Sequence, residues 1–172
     1  MAGPRQAKDM GDKVLGDRAL EGARVLVVEG RYYEAIADAL LAGAARALED
    51  AKVEWSVVSV PGALEVPQAI VLALDAAQRR RRRFDGVVAL GCVIRGETSH
   101  YDIVAGESAR ALMDIAVGRR VPVGNGILTV DTEAQAWARA RPEDHDKGGT
   151  AARAALALIR LNRTLGRRGA RR

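Results

Sequence analysis

Residues 24–50, RVLVVEGRYYEAIADALLAGAARALED, contain the pattern that decides the fold. The first seven residues form a short apolar run, which is typical of a buried β-strand. In the part that follows, apolar side chains recur every four residues and therefore share one face of a helix. They are Ile36, Leu40, Ala44 and Leu48. The stretch predicts one strand followed by one helix.

The strand-then-helix pattern recurs three more times along the chain. Further strands are predicted in VEWSVVSVPG (53–62), FDGVVALGCVI (84–94) and VPVGNGILTV (121–130). Helices are predicted at 66–78, 101–117, 132–140 and 149–165. Strands that are apolar nearly throughout, each followed by a helix, favour a parallel sheet covered on both faces. We therefore expect a three-layer α/β/α sandwich with a four-stranded parallel sheet.

The length of 172 residues indicates one domain, because domains of about 100–200 residues are the common case. Residues 1–22 hold four basic and four acidic side chains with little apolar periodicity, which predicts a mobile N-terminal arm. The α/β domain is expected over 23–166. Residues 167–172 form a basic C-terminal tail.

The composition is typical of a globular protein of a reducing compartment. Because 48% of the residues are apolar and 28% are charged, a disordered chain is disfavoured. Cys92 is the only cysteine, which excludes an internal disulfide, and its apolar neighbours predict a buried, unreactive thiol. No apolar run approaches the ~18 residues of a membrane span, and no secretory signal is seen. We expect a cytoplasmic protein without membrane contact.

The net charge of +5 raises the possibility of a nucleic-acid partner. The last ten residues contain five arginines and no acid, so their charge of +5 equals the net charge of the whole chain. A second basic run spans Arg79–Arg83. Neither aromatic stacking residues nor a recognised nucleic-acid motif lies near that run, which reads as a solvated loop. We expect no nucleic-acid partner.

Ligands of parallel α/β sheets bind beyond the carboxyl ends of the strands. Four segments occupy that position in the predicted sheet, and we expect them to meet in space. They are EGRYY (29–33), VPGALEVP (60–67), IRGETSH (94–100) and GNGILT (124–129).

The segment GCVIRGETSHYDIV (91–104) carries the strongest indication of chemistry. Ser99 and Asp102 match a capping box, which places His100 in the first helical turn. There the helix dipole disfavours protonated imidazole, so a neutral histidine can exchange protons near pH 7. Free backbone amides around Gly96, Glu97 and Thr98 can cradle an anion such as phosphate. The alternative is that His100 serves only the cap.

Other candidate residues each have a functional and a purely structural interpretation. Tyr32 and Tyr33 can stack on a flat heterocycle or pack in the core. The carboxylate of Glu65 can accept hydrogen bonds from ligand hydroxyls or favour the helix N-terminus. Arg139 and Lys147 flank RPEDHD (141–146) and can clamp a phosphate or remain solvated. His145 is expected to be solvated, and we expect no metal site.

Four segments together resemble the 6,7-dimethyl-8-ribityllumazine synthase family over residues 24–165. They are PGALEVP, GCVIRGETSHYDIV, GNGILTVDTEAQAWARAR and DKGGTAARAAL, in that order. The resemblance implies a flavodoxin-like fold and the condensation of 5-amino-6-(ribitylamino)uracil with 3,4-dihydroxy-2-butanone 4-phosphate, without a cofactor. It also implies homopentamers, sometimes assembled into sixty-subunit capsids, with active sites between neighbouring subunits.

The resemblance also implies roles for individual residues. His100 would transfer protons, Tyr32 would stack on the pyrimidine, and Asn125 would reach the site from the adjacent subunit. The ribityl side would be lined by Ala63, Leu64 and Glu65, and the ring edge would be held by backbone groups of Cys92, Val93 and Ile94. The phosphate would be bound near Glu97, Thr98, Arg139 and Lys147. The chain departs from the family at Tyr32, often Phe, and at Asn125, often aromatic. A competing interpretation is a family member that binds pyrimidine or flavin as a storage or signalling shell.

Overall fold

The computed structural model describes residues 17–169, which form alternating strands and helices. A short 3-10 helix, Asp17–Leu20, precedes them. The four strands are β1 (Arg24–Gly30), β2 (Glu54–Val60), β3 (Gly86–Ile94) and β4 (Val123–Val130). The five helices are α1 (Glu34–Asp50), α2 (Glu65–Arg79), α3 (His100–Gly118), α4 (Glu133–Ala140) and α5 (Lys147–Gly169).

The four strands form one parallel sheet in the order β2-β1-β3-β4. From β1 the chain adds β2 on one side, and then adds β3 and β4 on the other side of β1. The strand order therefore reverses between β1 and β3. A crevice opens at the carboxyl ends of two such strands, since their loops diverge to opposite sides. The predicted four-stranded parallel sheet is confirmed.

Apolar side chains form a separate core on each face of the sheet. One core joins β1, β3 and β4 to α1, α4 and α5, and Leu40, Leu90 and Ile159 are buried in it. The other joins β1 and β3 to α2 and α3 through Leu26, Ile70 and neighbouring residues. Successive residues of β1 and β3 serve opposite cores, because side chains alternate along a strand. The arrangement is the expected three-layer α/β/α sandwich.

The predicted apolar face is fully buried in α1, and in α2 it is buried over the first two turns. Ile36, Leu40, Ala44 and Leu48 of α1 are all buried, which confirms the face expected there. In α2, Val66 and Ile70 are buried.

Strand β2 differs from the expectation of a sheet covered on both faces. It contributes no fully buried residue to either core in the described part of the chain, and Val57 is 43% exposed. β2 is one of the two edge strands, and the helices of the two cores pack mainly over β1 and β3 and, on one face, over the other edge strand β4. An apolar sequence alone does not distinguish a central strand from an edge strand.

The predicted arm and tail fall largely outside the described residues, which exclude 1–16 and 170–172. Within the described part, Leu20 is buried, and the Arg163 guanidinium donates hydrogen bonds to the carbonyls of Ala19 (3.1 Å) and Glu21 (2.9 Å). Helix α5 continues to Gly169. Over residues 17–169, the helices are too short or too polar to span a bilayer.

Candidate active site

The carboxyl ends of β1, β2 and β3 border a cleft of about 350 Å³. Three of the four segments expected to meet do so here. The lining residues are Tyr32, Tyr33, Gly62, Ala63, Leu64, Glu65, Cys92, Val93, Ile94, Gly96, Thr98, His100, Tyr101 and Val104. Nine of them are among the residues predicted from sequence, and the cleft lies beside the β1/β3 reversal.

Tyr32 and Tyr33 form one wall of the cleft directly after β1. Their rings meet edge to face, with centroids 4.9 Å apart and planes 73° apart. Tyr33 packs against the core, and burial raises the pKa of its hydroxyl, whereas Tyr32 is 75% exposed. Tyr33 therefore has the predicted packing role and supports Tyr32. Tyr32 has the predicted stacking role, because its ring is free to contact a ligand.

A charged network holds the loop that carries Tyr32. Arg31 donates hydrogen bonds to the carboxylates of Glu29 (3.1 Å) and Asp38 (2.8 Å), and the first of these carboxylates is buried. Ser59 of β2 donates a further bond to Glu29 at 2.7 Å. The pKa of Arg31 is raised, chiefly by its bond to Asp38. Sequence reasoning did not single out these residues, because their roles depend on neighbouring strands.

The second wall comes from the loop between β2 and α2. Its approach to β1 requires glycine, because a Cβ atom at Gly30 would come within 2.8 Å of the carbonyl carbon of Gly62. Ala63 is buried, and Glu65 is the exposed first residue of α2. The carboxylate of Glu65 can thus favour the helix N-terminus and still face a ligand, so its two interpretations are compatible.

The end of β3 forms the floor of the cleft with Cys92, Val93 and Ile94. Cys92 is only 8% exposed, and burial raises the pKa of its thiol to about 12. A thiol with such a pKa is protonated near neutral pH and is a poor nucleophile. The predicted burial of Cys92 is confirmed, and the raised pKa of the thiol supports the prediction that it is unreactive.

The loop after β3 is held by Arg95, a residue that sequence reasoning did not select. Its Nε donates to Asp131 at 3.1 Å, and its terminal nitrogens donate to Asp102 at 3.3 Å. The guanidinium carbon lies 4.0 Å from the centre of the Tyr101 ring, which itself lines the cleft. These bonds raise the pKa of Arg95, the one to Asp131 most.

The predicted capping box is wrong in one respect. Ser99 is the N-cap of α3 and His100 is its first residue, as expected, but the Ser99 side chain makes no capping bond. Asp102 pairs with Arg95 instead, because an arginine near the helix start offers that carboxylate a charged donor. The Oγ1 of Thr98 accepts a bond from the backbone N–H of His100 at 3.4 Å.

His100 is exposed at the mouth of the cleft, at the start of a nineteen-residue helix. Its imidazole, the Thr98 hydroxyl and the flexible backbone of Gly96 therefore face the same space as Tyr32. This arrangement can bind a flat ring on one side, receive an anion near the helix N-terminus and exchange a proton between them.

Four predicted site residues do not line the cleft of their own chain. Glu97 is exposed on the loop before α3, and Lys147 is the exposed first residue of α5. Arg139 is half-buried near the end of α4 and donates to the carbonyl of Gln135 at 3.1 Å. Asn125 is exposed on the edge strand β4, where its side chain accepts a bond from the Ile127 N–H at 3.0 Å.

The segment GNGILT lies inside β4, as the strand predicted at 121–130 requires, so the expectation that it meets the other three segments at the site is wrong. In the described chain, residues 124–129 contribute nothing to the cleft. Their glycines serve packing: a Cβ atom at Gly124 would collide with the Ala151 carbonyl of α5, and one at Gly126 would lie 2.8 Å from Leu90. Glycine therefore marks a close helix contact here and not a turn.

The loop between α4 and α5 is structurally separate from the cleft. Arg153 donates to Asp146 at 2.9 Å, and His145 is exposed, as predicted. A metal site needs about three His, Cys, Asp or Glu side chains close together. The residues whose positions are described contain no such group.

Comparison with known proteins gives a consistent result. A family model described as 6,7-dimethyl-8-ribityllumazine synthase matches residues 22–163. A protein of that name from Xanthobacter autotrophicus is 66% identical over 146 residues, covering 85% of this chain and 88% of its own. Another from Nitrobacter hamburgensis is 60% identical, covering 88% and 93%. A third, from Rhodopseudomonas palustris, is 53% identical and covers 96% and 98%.

Proposed function

The chain belongs to the 6,7-dimethyl-8-ribityllumazine synthase family, and we propose that the cleft between Tyr32 and His100 is its active site. The enzyme condenses 5-amino-6-(ribitylamino)uracil with 3,4-dihydroxy-2-butanone 4-phosphate, releasing phosphate and water, in riboflavin biosynthesis. One observation carries the assignment of the site: an exposed aromatic ring, a helix-start histidine and a glycine-containing loop border a single cleft.

The pyrimidine substrate binds on the Tyr32 side of the cleft. The exposed ring of Tyr32 stacks on the heterocycle, supported from behind by Tyr33. Backbone groups at the end of β3 bind the ring edge, from Cys92, Val93 and Ile94. The ribityl chain lies along the opposite wall, beside Ala63, Leu64 and Glu65, where a carboxylate accepts hydrogen bonds from its hydroxyls.

The phosphate of the second substrate binds near the N-terminus of α3. Loop amides around Glu97 and Thr98 point toward the anion, and the helix dipole favours its charge. Arg139 supplies the bidentate guanidinium, with Lys147 as a second cation. Because neither cation lines the cleft of its own chain, we assign both to the cleft of a neighbouring subunit.

His100 transfers protons while the substrates supply the reactive groups. The amine of the pyrimidine attacks the carbonyl of the butanone, and one water leaves as the imine forms. Elimination then releases phosphate, and the enol that remains tautomerises to a carbonyl. Attack of the ribitylamino nitrogen on this carbonyl, with loss of a second water, closes the ring. The imidazole is exposed at the mouth of the cleft, within reach of these steps. Catalysis is then mainly positional, because two reactants are held in register.

A homopentamer accounts for the outer surface of α3. Only Ser108 and Leu112 of its nineteen residues are buried, while Ile103, Met113 and Val117 are 55%, 63% and 69% exposed. Exposed apolar side chains in this number are typical of a subunit interface. The same assembly brings Asn125 of an edge strand to a neighbouring cleft, and larger shells of pentamers are compatible with it.

We place the enzyme in the cytoplasm, where substrates of this pathway and a reduced Cys92 coexist. We extend the folding unit beyond the predicted 23–166, because Leu20 is buried in the core and α5 continues to Gly169.

A spectrophotometric assay with both substrates tests the function directly. The purified, folded protein is expected to form the lumazine product only when both substrates are present. Absence of product, together with tight binding of the pyrimidine or a flavin, would instead favour the storage or signalling shell.

A further inference from the structure

A second cavity, of about 550 Å³, lies at the opposite end of the sheet from the cleft. It opens beside Asp85 and Pro122, which precede β3 and β4, and beyond the C-terminal ends of α2 and α3. Its lining residues are Leu74, Gln78, Arg83, Phe84, Asp85, Arg119, Arg120, Val121, Pro122, Ile159, Asn162 and Arg163. Nothing in the proposed reaction uses this cavity.

The fold brings together arginines that are far apart in the sequence. Arg83 ends the basic run 79–83, Arg119 and Arg120 follow α3, and Arg163 lies near the end of α5. All four line the cavity, whereas Asp85 is its only acidic lining residue. The cavity is therefore strongly positive.

Two of these arginines have structural partners. Arg163 donates to Asp85 through Nε (3.2 Å) and Nη2 (2.9 Å), and Arg119 pairs with Asp75. The second oxygen of Asp85 accepts the backbone N–H of Arg24 at 2.9 Å. The single lining carboxylate is thus fully engaged.

Arg83 and Arg120 differ from this pair. Both side chains are exposed, and neither forms an ion pair with any residue in the part of the chain that the structure describes. A favourable interaction with a helix C-terminus accounts for Arg79, in the last turn of α2. It does not account for Arg83, four residues beyond that helix, because the dipole acts only within the last turn.

Arg120 follows α3 with φ at +52°, and the N–H of Val121 donates to the carbonyl of Ala116 at 3.2 Å. Lys52 and Arg81 adopt the same left-handed conformation after α1 and α2, so this is the ordinary way in which these helices end. The turn at the end of α3 places Arg120 beside the cavity.

We propose that this cavity binds a compact anion carrying two or more phosphate groups, of nucleotide size. The guanidinium groups of Arg83 and Arg120 each match a phosphate, and the amides of Gln78 and Asn162 add donors. Leu74, Pro122 and Ile159 give the cavity an apolar floor for the rest of the ligand. A volume of about 550 Å³ suits such a molecule.

An extended nucleic acid fits these features less well. The only aromatic residue of the lining, Phe84, is half-buried, and the guanidinium carbon of Arg24 lies 4.9 Å from the centre of its ring. Bases of a single strand therefore find no open stacking surface here. The concave shape favours a ligand that ends within the cavity.

Calorimetric titration of the full-length protein with inorganic tripolyphosphate, at low ionic strength, tests the proposal. We expect saturable binding, one ligand per chain, weakened at least about tenfold by the double variant Arg83→Gln/Arg120→Gln. The matched control Arg80→Gln removes a charge of the same run outside the lining and should change affinity less than about twofold. Arg139→Ala should leave this binding unchanged, and the double variant should keep normal enzyme activity.

Four results would overturn the proposal. The first is the absence of binding at millimolar tripolyphosphate. The second is equal affinity of the wild type and the double variant. The third is loss of binding in Arg139→Ala alone, which would place the anion in the catalytic cleft. The fourth is tighter binding of a single-stranded RNA oligonucleotide that Arg80→Gln also weakens, since this would indicate an extended surface.

Discussion

Gly30 and Gly62 lie in such close backbone contact that a Cβ atom on the first would sit 2.8 Å from the carbonyl carbon of the second. This contact joins the loop that carries Tyr32 to the loop that carries Ala63, Leu64 and Glu65. The two walls of the pyrimidine side therefore depend on one glycine pair.

Gly30→Ala should force these loops apart. Overpacking of this kind destabilises by roughly 1–3 kcal/mol, and the Michaelis constant for the pyrimidine substrate should rise because its walls separate. Urea denaturation and steady-state kinetics measure both effects. Gly166→Ala is the matched control, because a Cβ atom there meets nothing within 4 Å and should stabilise α5 by about 0.5–1 kcal/mol. Equal stability of the two variants would contradict this account.

Arg95→Ala should reduce turnover without unfolding the protein. The residue links Asp131 and Asp102 and covers the Tyr101 ring, so its loss frees the loop that leads to His100. All three contacts are exposed, so we expect little change in unfolding free energy, with a several-fold fall in kcat. Arg24→Ala, which likewise removes an ion pair and a cation-π contact but at the opposite end of the sheet from the cleft, provides the control and should leave kcat unchanged. If both variants behave alike, Arg95 has no role in positioning the loop.

His100→Ala should lower turnover by roughly 10 to 100 fold at most, at the low end of general acid-base effects. The substrates supply their own nucleophile and leaving group, so residual turnover should remain. Single-turnover kinetics measure the rate. A complete loss of activity in a folded, oligomeric variant would argue against mainly positional catalysis.

Burial of Cys92 makes a prediction about stability at high pH. Its pKa is raised from 9.0 to about 12, so above pH 9 the unfolded chain loses the thiol proton while the folded chain keeps it. The contribution of the buried, protonated thiol to the free energy of unfolding is therefore fully present below pH 9. It is lost as the pH rises toward 12, by up to about 1.4 kcal/mol per pH unit. Denaturation between pH 8 and 10 should show a steeper decline for the wild type than for Cys92→Ala. Parallel declines would show that the thiol does not contribute.

The sequence was sufficient to predict the sheet, the helix faces and the walls of the cleft. Local periodicity specifies these features, as Leu40 and Ile70 illustrate, and the loops after parallel strands gather at one end. The bonds of Asp102 could not be predicted in the same way, because Arg95 competes with the helix terminus for that carboxylate.

Contacts between distant segments explain the other differences. Gly124 and Gly126 were expected among the site segments, yet they accommodate α5 against β4. The exposure of β2 follows from strand order, which local pattern does not specify. The meeting of Arg83, Arg120 and Arg163 at one cavity likewise depends on where α2, α3 and α5 end.

The central claim is that each active site combines His100 of one subunit with Arg139 of another. Arg139→Ala alone should raise the Michaelis constant for the phosphate substrate about tenfold or more, because it removes a charge-assisted anchor. Arg141→Ala, which changes a nearby exposed arginine, should not.

Co-expression of His100→Ala and Arg139→Ala subunits, purified as mixed oligomers through two different tags, tests the claim most directly. At low concentrations of the phosphate substrate, random mixing should restore activity at roughly a quarter of the sites, well above the mean of the two parents. Activity equal to that mean would contradict a site shared between subunits.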